Sequence, residues 1–369
     1  MTAPGILGLL GLSGGVSGPS LWTFGRNNYG QLGQGDIVYL SSPVQVGSLT
    51  DWSSISCGEY HTTGIKTDGT LWTFGYNDFG GLGQGDLVNL SSPVQVGSLT
   101  DWSSISCGLY HTTGIKTDGS LWTFGRNYYG ELGQGDLVYL SSPVHVGSLT
   151  DWSSISCGSY HTTGIKTDGT LWTFGSNYYG GLGQGDTVNL SSPVQVGSLT
   201  DWSSMSCGSS HTTGIKTDGS LWAFGHNNYG QLGQGDVVNL SSPVQVGSLT
   251  DWSSISCGSY HTTGIKTDGS LWTFGRNNYG QLGQGDIVYL SSPVQVGSLT
   301  DWSSMSCGYN HTTGIKTDGT LWTFGVNDYG QLGQGDVVNL SSPVQVGSLT
   351  DWSSMSCGSY HTTGIKTDG

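Results

Sequence analysis

Seven near-identical fifty-residue repeats run from Ser20 to Gly369, and the sequence begins and ends inside the repeat unit rather than between units. A period of this length marks a propeller or a solenoid, in which each repeat buries its faces only against its neighbours. Within the chain, Lys66-Thr67-Asp68-Gly69-Thr70-Leu71-Trp72 reads as one hairpin with Asp-Gly at its turn. The termini divide that hairpin: the last residues are Lys366-Thr367-Asp368-Gly369, and the first repeat opens at Ser20-Leu21-Trp22-Thr23-Phe24. An open solenoid would leave a raw strand edge at each end, a template for aggregation. A ring joins the two halves and leaves none. The expected fold is therefore all-β, a seven-bladed β-propeller of four-stranded blades closed by a blade shared between the N- and C-termini. Residues 20–369 form its single domain, preceded by an apolar, Gly-rich arm over 1–19.

Strand signals within one repeat agree. Leu21-Trp22-Thr23-Phe24 and Trp52-Ser53-Ser54-Ile55-Ser56-Cys57 are aromatic and β-branched, and large apolar groups are not confined to alternate positions, as expected of sheets covered on both faces. His61 to Lys66 supplies the strand before the turn, and Val44-Gln45-Val46 a fourth. Proline cannot donate to a ladder, so Pro43 at the head of that fourth strand places it outermost in its blade.

Composition narrows the function. The net charge is −15, and seven of the ten Lys and Arg are the repeated lysine of the Lys66 position, so no basic stripe exists to neutralise phosphates. Nucleic acid and anionic membrane surfaces are poor candidates for partners on that ground, and the expectation is no nucleic acid and no membrane span. The seven cysteines, Cys57 to Cys357, recur once per repeat, an odd number in equivalent places and not a disulfide framework. Cys57 and His61 recur four residues apart, but zinc needs a second pair nearby, and a catalytic Cys/His pair needs a third group to orient the imidazole. The expectation is a small buried thiol, a hydrogen-bonded structural histidine, and no metal or cofactor. Tryptophans at the Trp22 and Trp52 positions read as blade packing. Asn89-Leu90-Ser91 and Asn310-His311-Thr312 match the glycosylation acceptor pattern.

Gly158 to His161, then Asp168-Gly169-Thr170-Leu171-Trp172-Thr173-Phe174-Gly175, Asn177 and Gly180-Gly181-Leu182-Gly183, resemble the repeat of the regulator of chromosome condensation family, and Gln31-Leu32-Gly33 matches its final element more closely. The resemblance covers all seven copies and implies a seven-bladed propeller closed by strands from both ends. The family includes exchange factors for the small GTPase Ran, a plant ultraviolet-B photoreceptor and β-lactamase inhibitor proteins. This chain has no basic arm and no wedge inserted between repeats, and its only arginines are Arg26, Arg126 and Arg276, which disfavours the first two activities. The fold alone does not select a function.

Differences among the copies cluster. After the Phe-Gly strand end stand Arg26, Tyr76, Arg126, Ser176, His226, Arg276 and Val326, and two positions on stand Asn28, Asp78, Tyr128, Tyr178, Asn228, Asn278 and Asp328. Before the histidine come Glu59, Leu109, Ser159, Ser209, Ser259, Tyr309 and Ser359, followed by Tyr60, Tyr110, Tyr160, Ser210, Tyr260, Asn310 and Tyr360. A third site alternates Tyr39, Tyr139 and Tyr289 with asparagine. Two accounts compete: drift tolerated by loops, and diversification of one face of a retained scaffold with the tyrosine-rich residue set of antibody loops. On the second account the sequence marks a non-enzymatic binding or display module. Its partner is a protein or glycan held by these loops, and its concrete form is an appendage of a virion or cell surface. A soluble regulator of a GTPase or inhibitor of an enzyme is the alternative. The apolar run containing Ile6, Leu7, Leu9, Leu10 and Leu12 lacks the positive flank of a secretory signal and the length of a membrane span. It is expected to anchor the ring in a larger assembly.

Overall fold

The structure is a computed structural model that describes residues 18–367; the anchoring segment with Ile6, Leu7, Leu9, Leu10 and Leu12 lies outside the described residues. Seven four-stranded antiparallel sheets are arranged as blades around an axis. In a typical blade the strands run Trp52–Cys57, His61–Lys66, Leu71–Gly75 and Leu90–Gln95, from the axis outward. The innermost strands are identified by the axial cavity, which is lined by Cys57, Gly58 and their equivalents from every repeat.

The ring closes as the divided hairpin requires. Ser20–Gly25 pairs antiparallel with His361–Lys366, in register from Ser20 opposite Lys366 to Gly25 opposite His361. The closing sheet therefore takes its two outer strands from the first repeat and its two inner strands from the last. At each intact hairpin the Gly69-type residue sits at positive φ (+77° to +80°), a conformation glycine adopts without a Cβ penalty. The Asp68 carboxylate accepts from the Thr70 backbone N–H (3.0 Å) and hydroxyl (2.6 Å), fixing the turn.

The outer strand departs from its expected bounds. It begins at Leu40, not Val44, so Pro43 lies within it. The ladder pairs Thr23 with Val44 and Gly25 with Leu40, and the irregularity between them takes up Pro43. Proline is tolerated there because the strand is an edge and the ladder is already interrupted.

The core is divided into seven interfaces rather than gathered at a centre. One comprises Ile65, Leu71 and Val96 with Trp102 and Phe124 from across the next blade, all buried. The closing interface repeats this with Leu21, Val46, Trp52, Phe74 and Ile365. Close approach demands glycine here: a Cβ on Gly33 would meet the Phe74 ring at 2.9 Å. Stability in such a ring is the sum of like nearest-neighbour contacts, with no terminal repeat left uncovered.

Candidate binding face

Antiparallel pairing sorts the connections between two ends of the propeller. His61 lies opposite Gly75, and Gly75 opposite Leu90, so the Gly58–Tyr60 and Tyr76–Asn89 connections share one end. Trp52 lies opposite Lys66 and Trp72 opposite Gln95, so the Thr67–Thr70 turn and the Val96–Asp101 connection share the other. All three variable clusters found in the sequence therefore fall on one face. Positions 29, 31 and 37, which also change between copies, lie in the same loops.

The opposite face is exposed too and varies far less: beside the Ser/Thr change at position 20, His145 stands once where the other copies have the glutamine of the Gln45 position. Val46-Gly47-Ser48-Leu49-Thr50-Asp51 is identical in all seven copies, although Leu49 and its equivalents are 44–50% exposed. The one frequent change at that end, Ser for Thr at position 20 of the repeat, preserves the bonding. Thr70 and Ser120 each accept from a tryptophan indole N–H at 2.8 Å and donate to an aspartate at 2.6 Å.

On the variable face the side chains form concentric rings. Nearest the axis, the position-59 residues line a cavity of about 100 Å³. Outside them stand Tyr60, Tyr110, Tyr160, Tyr260 and Tyr360, with Ser210 and Asn310 completing the circle. Between neighbouring tyrosines sit the position-26 residues. Arg26 lies over Tyr60, Tyr329 and Tyr360 at 5.6, 5.1 and 5.5 Å. Arg126 lies over Tyr110, Tyr128, Tyr129 and Tyr160 at 5.3–5.7 Å, and Arg276 over Tyr229 and Tyr260 at 5.3 and 5.5 Å. These are cation–π distances. Tyr76 takes the arginine's place in its own blade, with centroids 4.8 Å from Tyr29 and 5.5 Å from Tyr110.

Several marked residues serve this surface from beneath. Leu109, Asn310 and His226 are buried. His226 packs on Tyr179 at 4.6 Å, and its Nδ1 is 2.7 Å from Gln231 Nε2; burial lowers its pKa. Gln281 Nε2 donates to Asn310 Oδ1 at 3.2 Å, and burial of Asn310 leaves its acceptor pattern no accessible amide for glycosylation. Tyr128 and Tyr178, by contrast, stand 56% and 60% exposed. Asn28 bonds the Tyr39 hydroxyl. Tyr39 and Tyr139 reach across to Tyr329 and Phe79 of the preceding blades, with centroids 5.6 and 5.8 Å apart. Where asparagine replaces this tyrosine it folds back on its own loop, Asn89 accepting from the Asn77 N–H at 2.6 Å.

Beneath both rings the repeated Cys and His are structural. Thr62 Oγ1 donates to the Gln31 carbonyl (2.9 Å), which leaves it as acceptor for His361 Nε2–H (3.0 Å) across the closure. His61 makes the same bond to Thr112 at 2.9 Å, and so on around the ring. Cys57 N–H donates to Ser356 Oγ at 2.9 Å, and its thiol lies 3.0 Å from Thr363 Oγ1. Burial pushes His61 down to about 4 and the Cys57 thiol up to about 11, so both are neutral near pH 7. None of the seven cysteines is disulfide-bonded, and among the described residues no group of three or more His, Cys, Asp or Glu is placed to hold a metal ion.

The lysine that the sequence offered only as charge has a structural place. Lys66 is buried, its Nζ 4.1 Å from the Trp72 centroid, 5.4 Å from that of Trp52 and 3.4 Å from Asp51. Every repeat carries the same arrangement, so the arginines alone supply cations to the variable face.

The chain is in class a closed seven-bladed propeller of like blades, with tyrosines and three arginines gathered in the loops of one face. The chain belongs to the family of the Regulator of chromosome condensation (RCC1) repeat, whose model matches residues 20–65, 68–115, 118–165, 168–215, 218–265, 268–315 and 318–365. Among solved structures it is similar to human WBSCR16, at 20% identity over 94% of this chain and 98% of that one, with a TM-score of 0.85. It is likewise similar to Prp20p from Saccharomyces cerevisiae, described with its binding to Gsp1p and histones, at 17% identity over 96% of this chain and 92% of that one, TM-score 0.85. At these identities the likeness is one of fold. No curated protein sequence matches the chain.

Proposed function

We propose that this propeller is a non-enzymatic protein-binding module whose variable face is the contact surface. The observation that carries the reading is the one-sidedness of the differences. Drift acts on exposed loops at both ends alike, yet exposed Leu49 recurs unchanged seven times while position 26 runs from arginine to valine. The residues at the changing sites have the composition of interface anchors: tyrosine and arginine, held rigid by mutual stacking, give contact area at small entropic expense. None of the three arginines joins an ion pair among the described residues.

In the finer form of the proposal the ring is an appendage of a particle or cell surface, presenting this face outward while residues 1–19 anchor it. The described chain enters its first strand at the less variable end, where Trp52 N–H donates to the Pro19 carbonyl (3.2 Å), so an anchor there leaves the variable face clear. A glycan is the second partner class, supported by the exposed Tyr128 and Tyr178, on which sugar rings could stack. A soluble regulator is the second role, supported by the fold shared with Prp20p.

Capture from the source organism or its particles tests the reading, comparing the native chain with one carrying serine at positions 26, 59 and 60 of every repeat. A control carries serine for Leu49 and its six equivalents. The expected result is a partner retained by native and control chains and lost by the levelled one. Equal capture by all three would assign the variation to drift.

A further inference from the structure

Glu59 is singular in the ring nearest the axis. Its equivalents are Leu109, Ser159, Ser209, Ser259, Tyr309 and Ser359, so one of seven positions carries a charge. Tyr60, Tyr110, Tyr160, Tyr309 and Tyr360 all lie close enough for that charge to oppose their ionisation, a secondary cause after burial in each. Glu59 lines the axial cavity at the variable face with Tyr309 in the same wall, and the position-60 tyrosines stand in the ring outside it.

No cation is paired with it. The ion pairs within 4.0 Å among the described residues are seven Lys–Asp pairs, and Glu59 is in none. Arg26 stacks on Tyr60, Tyr329 and Tyr360 instead. Burial raises the Glu59 pKa against the opposing pull of a Tyr60 hydrogen bond, the Arg26 charge and a Ser359 hydrogen bond. A carboxylate outside any ion pair at the wall of a small cavity favours a compact cation there and repels an anion. The cavity holds one head group, not a folded element.

We propose that the axial cup is an ammonium-binding pocket, in which Glu59 and the surrounding tyrosines receive a single lysine side chain, bare or methylated, from a protein partner. The proposal rests on the reading of the variable face as the contact surface. The net charge of −15 draws a basic segment toward the ring, and the cup gives that segment one fixed point on an otherwise broad surface.

The test uses the full chain and Nα-acetyl-lysine methylamide as probe, with its Nε-acetylated, uncharged form as control, titrated by calorimetry. Variants are Glu59→Gln, which keeps shape and removes charge, and Glu59→Ser, the residue at four of the equivalent positions. The native chain is expected to bind the charged probe saturably and not the uncharged one, and both variants to bind it at least about tenfold more weakly, the loss of one charge-assisted contact. Absence of saturable binding, or equal binding by native chain and Glu59→Gln, overturns the pocket. Partner capture separates the two readings. A partner lost by the levelled chain but held undiminished by Glu59→Gln removes the pocket and leaves the face, whereas a partner held by both removes the face.

Discussion

Single side chains here do work that becomes visible only when blades are adjacent. Thr112 accepts from His61 Nε2–H of the preceding blade at 2.9 Å while donating to the Gly81 carbonyl at 2.8 Å. Thr112→Val keeps the shape and strands both partners in a buried site, at a cost expected near 2–4 kcal/mol from two unsatisfied groups. Urea denaturation measures it, and a loss below about 1 kcal/mol would mean that water replaces the hydroxyl. The sequence made the histidine's structural role legible, because Cys57 and His61 lack the further ligands or bases that chemistry needs. It did not make Lys66 legible. A lysine beside an Asp-Gly turn reads as a solvated charge, and only the pairing of Trp52 opposite Lys66 and Trp72 opposite Gly64 shows that two indoles enclose it. That register is set between strands, not along one.

At the level of the strand, legibility followed turn chemistry. The Asp-Gly hairpin was plain, and with it the closure, because its two halves stand at opposite ends of the sequence. The outer strand was misbounded because Pro43 normally ends or edges a ladder, whereas here an irregularity next to Thr23 absorbs it. Closure makes a strand-scale prediction. Removing 358–369 deletes the strand that Ser20–Gly25 pairs with and withdraws His361 from Thr62 and Ile365 from its cluster with Leu21 and Trp52. The truncated chain should expose two edges and self-associate on size-exclusion chromatography, and a synthetic peptide spanning 358–369 should restore the monomer. A truncated chain that stays monomeric and melts like the native one would contradict closure as what keeps these edges from pairing.

For the molecule as a whole, two consequences follow from repetition. The one-sidedness of variation could not be read along the chain, since positions 26, 39 and 59 are separated there and meet only because alternate connections of an antiparallel sheet share an end. Repetition also multiplies linkage. His61 and His161 are lowered by burial to about 4, and His111, His261, His311 and His361 to about 3; His211 is lowered well below its ordinary value. A base whose folded pKa is depressed leaves the unfolded chain binding more protons, so its contribution is complete above about pH 6.5 and is lost as pH falls toward 4 and 3. At pH 5 each histidine accounts for roughly 2 kcal/mol, and seven together rival the whole stability of an ordinary domain. The exposed Asp68-type carboxylates, lowered by their hydroxyl partners, act in the same direction at lower pH. Glu59 and Glu131, raised by burial, act in the opposite one. The buried thiols set the alkaline limit. Cys57, raised to about 11, and Cys107, raised to about 12, remain neutral in the ring while the unfolded chain ionises above about 9. Stability should therefore form a plateau between about pH 6.5 and 9 and fall steeply on the acid side. Acid unfolding followed by circular dichroism with proton uptake should be complete above pH 4 and take up close to seven protons from histidine. His261→Gln can still donate to Thr312 without titrating, so it should remove one proton from that count. A ring that persists below pH 4, or unfolds with the uptake of one proton, would show that the seven imidazoles do not act together.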